Sequence, residues 1–253
     1  MNESKIALVT GGSRGLGRDM ALSLARKGLA LVITFRSKEA EAEAVVKEIE
    51  ALGQKAFALH LDMAAFSSLD AFVKGLSIEL KTRWQATGID YLVNNAGIGG
   101  TVPFAEATEA HFDEFLNVHF KSVYFLTQKL LPYLKEGGGI VNISTGTTRF
   151  VNPGYSVYAS MKGAIEVLTK YWAKELGPKG IRANVVAPGP IETDFNDAAI
   201  RNNPQRKEAL AALTPLGRVG TAEDIGGVVA FLCSDDARWI TGQRIEVSGG
   251  INV

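Results

Sequence analysis

The feature that most constrains this chain is a repeated alternation of a short apolar run with a longer amphipathic stretch. IALVT (6–10), ALVITF (30–35), AFALHL (56–61), IDYLVNN (89–95), GGIVNIS (138–144), IRANVVAP (181–188) and RIEVSGG (244–250) read as seven strands. Helices are expected at about 15–28, 38–52, 65–83, 108–136, 156–177 and 221–234, and 190–214 reads as polar and mostly helical. Apolar strands alternating with helices call for a parallel sheet covered on both faces. Right-handed crossovers then give a doubly wound α/β fold. No linker, low-complexity segment or internal repeat interrupts the pattern, so residues 1–253 are expected to form a single domain.

Composition removes several classes of function. Lys+Arg and Asp+Glu both number 27, so no basic excess favours nucleic acid or an anionic membrane surface. No apolar run approaches the roughly 20 residues that span a bilayer. The N-terminal MNESKIALVTGG has neither an apolar leader core nor a cleavage signal. One cysteine, Cys233, excludes an intrachain disulfide and suits a reducing cytoplasm. Three histidines and that cysteine, dispersed along the chain, make no metal cluster.

In doubly wound sheets, ligands bind outside the carboxyl ends of the strands. The unusual residues collect there. TGGSRGLG (10–17) follows the first strand and opens a helix, with Gly11, Gly15 and Gly17 as G-x-x-x-G-x-G. A pyrophosphate needs close backbone approach and free N–H groups at a helix N-terminus. The turn, with Ser13, Arg14 and Leu16, is therefore expected to hold a dinucleotide. An NAD site usually has an acid at the end of the second strand. Here that strand ends Phe35-Arg36-Ser37-Lys38. Arg36 is placed for a 2′-phosphate and Arg14 is a second cation, which favours NADP(H), with NAD(H) possible. Asp62 and Met63 suit the adenine, and Asn95, Ala96 and Gly97 border the adenosine ribose.

TGGSRGLG, NNAG (94–97), YASMK (158–162) and APGPIET (187–193), continued by CSDDARWITGQRIEVSGG (233–250), together resemble the short-chain dehydrogenase/reductase family over essentially the whole chain. The likeness is to its single-domain subgroup of about 250 residues, with 3-oxoacyl-[acyl-carrier-protein] reductase-like and glucose dehydrogenase-like members. The resemblance implies a Rossmann-like domain, NAD(P)-dependent reduction of a carbonyl or oxidation of an alcohol, and often a homotetramer. Tyr158 matches the family's catalytic tyrosine and Lys162 its lysine. Tyr155 has Ala159 four residues on, lacks such a partner, and reads as pocket lining or packing.

The chemistry can be argued independently. Hydride addition to a ketone leaves an alkoxide that needs a proton, and an unperturbed tyrosine pKa of about 10 is high for the task. Residues i and i+4 share a helix face, so Lys162 sits beside Tyr158. A cation roughly 4 Å away at an effective dielectric near 20 favours phenolate by up to about 4 kcal/mol. That ceiling of about three pKa units brings Tyr158 near neutrality. Lys162 is also suited to the nicotinamide ribose.

Two positions depart from the family pattern. The family serine lies 13 residues before the tyrosine, which is Thr145 here, with Ser144 one position early. Successive strand residues face opposite ways, and Thr145 is preferred as the hydroxyl that polarises the carbonyl. In Asn117-Val118-His119-Phe120-Lys121-Ser122-Val123, His119 stands where the family has an asparagine thought to hold a relay water. His119 either replaces that relay, with a pKa near neutral, or is a packed histidine.

In the family, the turn after the sixth strand touches the nicotinamide carboxamide; Pro188, Gly189, Ile191 and Thr193 match it. Residues 190–214 resemble its mobile substrate lid. Ser144, Thr147 and Tyr155 are expected near the substrate, with Gly99, Arg149 and Asn152. The expected protein is a cytoplasmic, homotetrameric NADPH-dependent oxidoreductase acting on a small-molecule carbonyl/alcohol pair, without a nucleic-acid or membrane partner. The rival readings are an NAD-dependent sugar or polyol dehydrogenase and a non-catalytic NADP-binding regulatory protein.

Overall fold

The strands are apolar on both faces because helices cover both faces. In β1 (Ile6–Val9), Ile6 and Leu8 point into one core and Ala7 and Val9 into the other. β2 (Ala30–Phe35) repeats this, with Val32 on the first side and Leu31 and Ile33 on the second. β3 (Ala56–His60), β4 (Ile89–Asn94), β5 (Leu134–Ile143), β6 (Arg182–Pro188) and β7 (Arg244–Val247) complete a seven-stranded sheet in the order β3-β2-β1-β4-β5-β6-β7. Every adjacent pair is parallel. This is the Rossmann-like, doubly wound α/β architecture expected from the alternation. The computed structural model describes residues 4–253. Residues 1–3, which belong to the N-terminal stretch read as lacking a leader and to the expected 1–253 domain, lie outside the described residues.

Helices α1 (Gly15–Arg26) and α2 (Glu39–Ala51) pack on one face, where Met20, Leu24, Val45 and Ile49 are buried. The opposite face carries α3 (Leu69–Trp84) through Phe72 and Leu76. The single helix expected at 108–136 is instead broken. It comprises α4 (Glu109–Leu116), one π-helical turn (Asn117–Lys121), α5 (Ser122–Leu130) and a 3-10 turn at Leu131–Tyr133. Pro132 has no N–H to continue an α-helix and stands in that last turn.

β5 accordingly begins at Leu134, four residues before the expected start. Leu134 pairs with Ile89, regular pairing resumes at Gly139 opposite Tyr91, and the residues between bulge out. A Cβ on Gly138 would lie 2.2 Å from Asp90 O, so the bulge needs glycine there. α6 (Ser156–Leu176) follows, then α7 (Phe195–Ala198) and α8 (Pro204–Ala212) within the lid segment. α9 (Ala222–Leu232) joins α1 on its face through Ile225 and Val229. The order reverses between β1 and β4, and the ends of these strands form the floor of the site. Among the described residues, no helix is long and apolar enough to cross a membrane, and no group of His, Cys, Asp or Glu is arranged to hold a metal.

Candidate active site

A cavity of about 920 Å³ opens at the carboxyl ends of the strands. All the residues singled out above for cofactor or catalysis line it, from the glycine turn through Arg36 and Asp62 to Tyr158 and the turn Pro188–Thr193. Sequence-distant segments meet there because each follows a parallel strand.

The glycine turn is locked to the end of β4. Thr10 Oγ1 accepts from the backbone N–H of Asn95 and of Ala96, both at 3.0 Å. Asn95 Nδ2 donates to Thr10 O at 2.9 Å and to Gly11 O at 3.1 Å. Gly11 and Gly15 have φ of +66° and +54°, in the left-handed region. A Cβ on Gly17 would stand 2.1 Å from Gly11 O, so this helix start tolerates no side chain. The result is a bare backbone cradle at the N-terminus of α1. Arg14 and Arg36 are exposed on the cavity rim and make no ion pair among the described residues. Asp62 Oδ1 accepts from Ala64 N at 2.9 Å, and Met63 is buried.

At the other end of the cavity, α6 presents Tyr158 and Lys162 to the end of β5. The Thr145 hydroxyl faces the Tyr158 phenol and acts to lower its pKa, and Thr145 Oγ1 accepts from Thr147 N at 3.3 Å and from Thr147 Oγ1 at 3.2 Å. Lys162 is 5% exposed; its Nζ donates to Ile143 O at 2.7 Å and lies 5.8 Å from the Tyr158 ring centroid. Burial pulls the Lys162 ammonium down to about 8. Burial likewise pushes the Tyr158 phenol above its ordinary value, against the smaller opposing effect of Thr145. The expectation that Lys162 brings Tyr158 near neutrality is therefore corrected for the protein as it stands. Desolvation of the phenolate outweighs the attraction of a cation that is itself desolvated and turned to a carbonyl.

His119 sits on the π-helical turn, 1% exposed, its ring edge-on to Tyr158 with centroids 5.1 Å apart. Nε2 lies 3.0 Å from Ile98 O and 3.3 Å from Ile98 N, while Nδ1 is buried without a partner. Burial, then the Lys162 charge, holds its pKa well below the usual histidine value. The near-neutral pKa expected for it is corrected: this imidazole stays uncharged. A Cβ on Gly97 would lie 2.8 Å from His119 Cε1, so that glycine makes room for the ring.

Ser144 also lines the cavity. Only 3% exposed, it donates its hydroxyl to Glu166 Oε1 at 2.6 Å, as the alternation of strand faces dictates. Arg149 is tied to Glu246 at 2.6 Å and to Ile251 O at 2.8 Å. Tyr155 OH accepts from Asn196 Nδ2 of the lid at 3.1 Å, and Thr147, Gly99 and Asn152 line the cavity. Sequence reasoning missed Phe115 and Phe195, whose rings stand 6.4 and 6.1 Å from that of Tyr158. The i, i+4 spacing of Phe115 and His119 was the available signal; Phe195 gave none, because only the fold returns the lid to α6.

The cradle that a Cβ on Gly17 would fill and the two rim arginines of this 920 Å³ cavity fit a dinucleotide with an extra phosphate. Comparison with known proteins agrees with the geometry. The family model described as Enoyl-(Acyl carrier protein) reductase matches residues 11–252. The 3-oxoacyl-[acyl-carrier-protein] reductase FabG of Staphylococcus aureus is 38% identical over 253 residues, 99% of each chain. The structure of the promiscuous reductase LugOII, which catalyses keto-reduction at C1 during lugdunomycin biosynthesis, superposes with a TM-score of 0.94 at 37% identity over 100% of both chains. The angucycline C-6 ketoreductase LanV with bound NADP gives 0.93 at 37% identity, over 99% of this chain and 96% of that one. The chain belongs to the short-chain dehydrogenase/reductase family, whose members are NAD(P)-dependent oxidoreductases.

Proposed function

We propose that residues 1–253 act as one domain, an NADPH-dependent ketoreductase of a small-molecule ketone, reversible toward the alcohol. The observation that carries this reading is that Thr145, Tyr158 and buried Lys162 stand together at the end of a cavity that begins at the glycine cradle. The relatives' names support a ketone as the substrate: a 3-oxoacyl reductase and two ketoreductases, one with NADP. Gly11–Gly17 would hold the pyrophosphate, Arg14 and Arg36 the 2′-phosphate, Asp62 and Met63 the adenine, and Asn95–Gly97 its ribose. Lys162 would hold the nicotinamide ribose, and Pro188, Gly189, Ile191 and Thr193 the carboxamide. When bound, NADPH supplies the hydride.

The protein's own part is orientation and proton supply. Thr145 Oγ1 and Tyr158 Oη both line this end of the cavity, where a carbonyl oxygen would accept from the two hydroxyls. The raised phenol pKa keeps the proton on Tyr158 Oη at neutral pH, ready to donate. Lys162, with a pKa of about 8, is charged below that pH and favours the phenolate left behind. His119, uncharged, offers the partnerless Nδ1 to a relay water. His119→Asn is expected to preserve the alkaline limb of the pH–rate profile and His119→Ala to shift it. Profiles identical to wild type for both would remove His119 from the relay.

The same reading carries a cytoplasmic homotetramer, supported by exposed Val167 and Tyr171 on α6. The function is tested by NADPH and NADH oxidation over β-ketoacyl thioesters, keto sugars, diketones and aromatic ketones, with wild type and Tyr158→Phe. NADPH-dependent turnover that Tyr158→Phe lowers by about 10²-fold or more is expected. Tight NADPH binding without turnover on any ketone would favour the regulatory reading instead.

A further inference from the structure

We infer that Glu166 and Arg244 are positioning residues for the Thr145 hydroxyl, an inference that rests on the role given to Thr145 above. Tyr158, Lys162 and Glu166 follow at i, i+4 and i+8 on α6 and form one stripe. Each grips one of three consecutive residues at the end of β5. Lys162 Nζ donates to Ile143 O, Glu166 Oε1 accepts from Ser144 Oγ, and the Tyr158 phenol faces the Thr145 hydroxyl. Ser144 N still donates to Val186 O of β6 at 2.8 Å. Thr145 lies one residue beyond that bond, before the 3-10 turn Gly146–Thr148, so side chains must set its position.

Arg244 supplies the second grip, from β7. Its Nη2 donates to Thr145 O at 3.2 Å and to Thr148 Oγ1 at 3.1 Å, and its Nε to Glu166 Oε1 at 2.9 Å. Thr148 Oγ1 lies 2.7 Å from Glu166 Oε1. One carboxylate oxygen thus gathers Ser144, Thr148 and Arg244, while the guanidinium holds the carbonyl of Thr145 itself. Glu246 Oε2 accepts from Arg244 Nη1 at 3.0 Å and keeps the fork from turning. The side chains of Glu166 and Arg244 are 16% and 22% exposed. At that burial, charge-assisted bonds are short and directional, and a planar fork fixes an angle that an ammonium does not. Neither residue lines the cavity, so neither can act on a substrate directly.

The test is a double-mutant cycle with Thr145→Ala. Glu166→Gln keeps the shape and removes the charge; Arg244→Lys keeps the charge and removes the fork. Each is expected to lower kcat for a ketone that turns over in the panel by about tenfold, with the KM for NADPH unchanged. In the Thr145→Ala background neither should cost anything further, because the group they position is gone. A readout free of substrate and cofactor is the Thr145 methyl signal in threonine-methyl-labelled protein, expected to shift in both variants. Additive losses in kcat, or a Thr145 methyl signal unmoved in both variants, overturn the inference. If Glu166→Gln does not fold, Arg244→Lys carries the same cycle. Wild-type kcat in Thr145→Ala is a different failure: it removes the catalytic role of Thr145, and the methyl signal then decides whether Glu166 and Arg244 hold the residue in place.

Discussion

Lys162 shows what burying one ammonium costs in stability. Its folded pKa is about 8, against 10.5 when unperturbed. Between those values the unfolded chain binds more protons than the native one, so this group makes stability rise with pH from about 8 to 10.5. Below pH 8 the cost of burying the ammonium is fully present, on the order of 3 kcal/mol. Lys162→Met removes that cost and loses the bond to Ile143 O. It is expected to be more stable than wild type at pH 7 by about 2 kcal/mol, with the gap closing by about pH 10.5, while reductase activity is lost. Urea denaturation at several pH values reads the first effect; a gap that does not change with pH would contradict the assigned pKa. The motif containing Lys162 is visible in the sequence. The direction of its shift is not, because it depends on how completely β5 and the π-helical turn enclose the side chain.

Among the elements, β5 and the π-helical turn were least legible. The glycine run Gly137-Gly138-Gly139 reads as the start of a strand, but the strand begins before it and bulges through it. Gly138 must admit Asp90 O at a distance where no Cβ fits. Gly138→Ala is expected to destabilise the fold by at least about 2 kcal/mol, through overpacking against a backbone that cannot give way. A lower urea midpoint with an unchanged slope would report this; wild-type stability would show that the bulge tolerates a side chain. The π-helical turn at Asn117–Lys121 was invisible because amphipathic spacing cannot register a locally widened turn. That turn carries His119 into contact with Ile98 and Tyr158.

Across the whole molecule, the cofactor cavity links both halves of the sheet, so ligand binding should stabilise the molecule as a unit. At a hundredfold excess over Kd, NADPH adds about 2.7 kcal/mol. For a chain of 253 residues that is a Tm rise of roughly 5–10 °C. Arg36→Gln should shrink the NADPH effect and leave that of NADH, which thermal scans with each dinucleotide would check. Equal shifts with both in wild type would remove Arg36 as the 2′-phosphate group. At the scale of assembly, light scattering is expected to give four times the chain mass. A monomer mass at all concentrations would leave Val167 and Tyr171 as ordinary exposed residues.

The sequence alone determined the strand–helix alternation, and with it the parallel sheet and the place of the site. Period-2 burial and helical periodicity are local, and parallel strands must deliver their carboxyl ends to one edge. The glycine turn, Tyr158, Lys162 and Thr145 at the family's serine position were legible for the same reason: each depends on a short spacing. Tertiary structure alone decided which titratable groups are desolvated and which distant charges meet. Glu166 and Arg244 are 78 residues apart, and only the order β5-β6-β7 with α6 across it brings them to one carbonyl. Electrostatic and hydrogen-bond effects depend on three-dimensional distance and burial, quantities that a linear pattern does not contain.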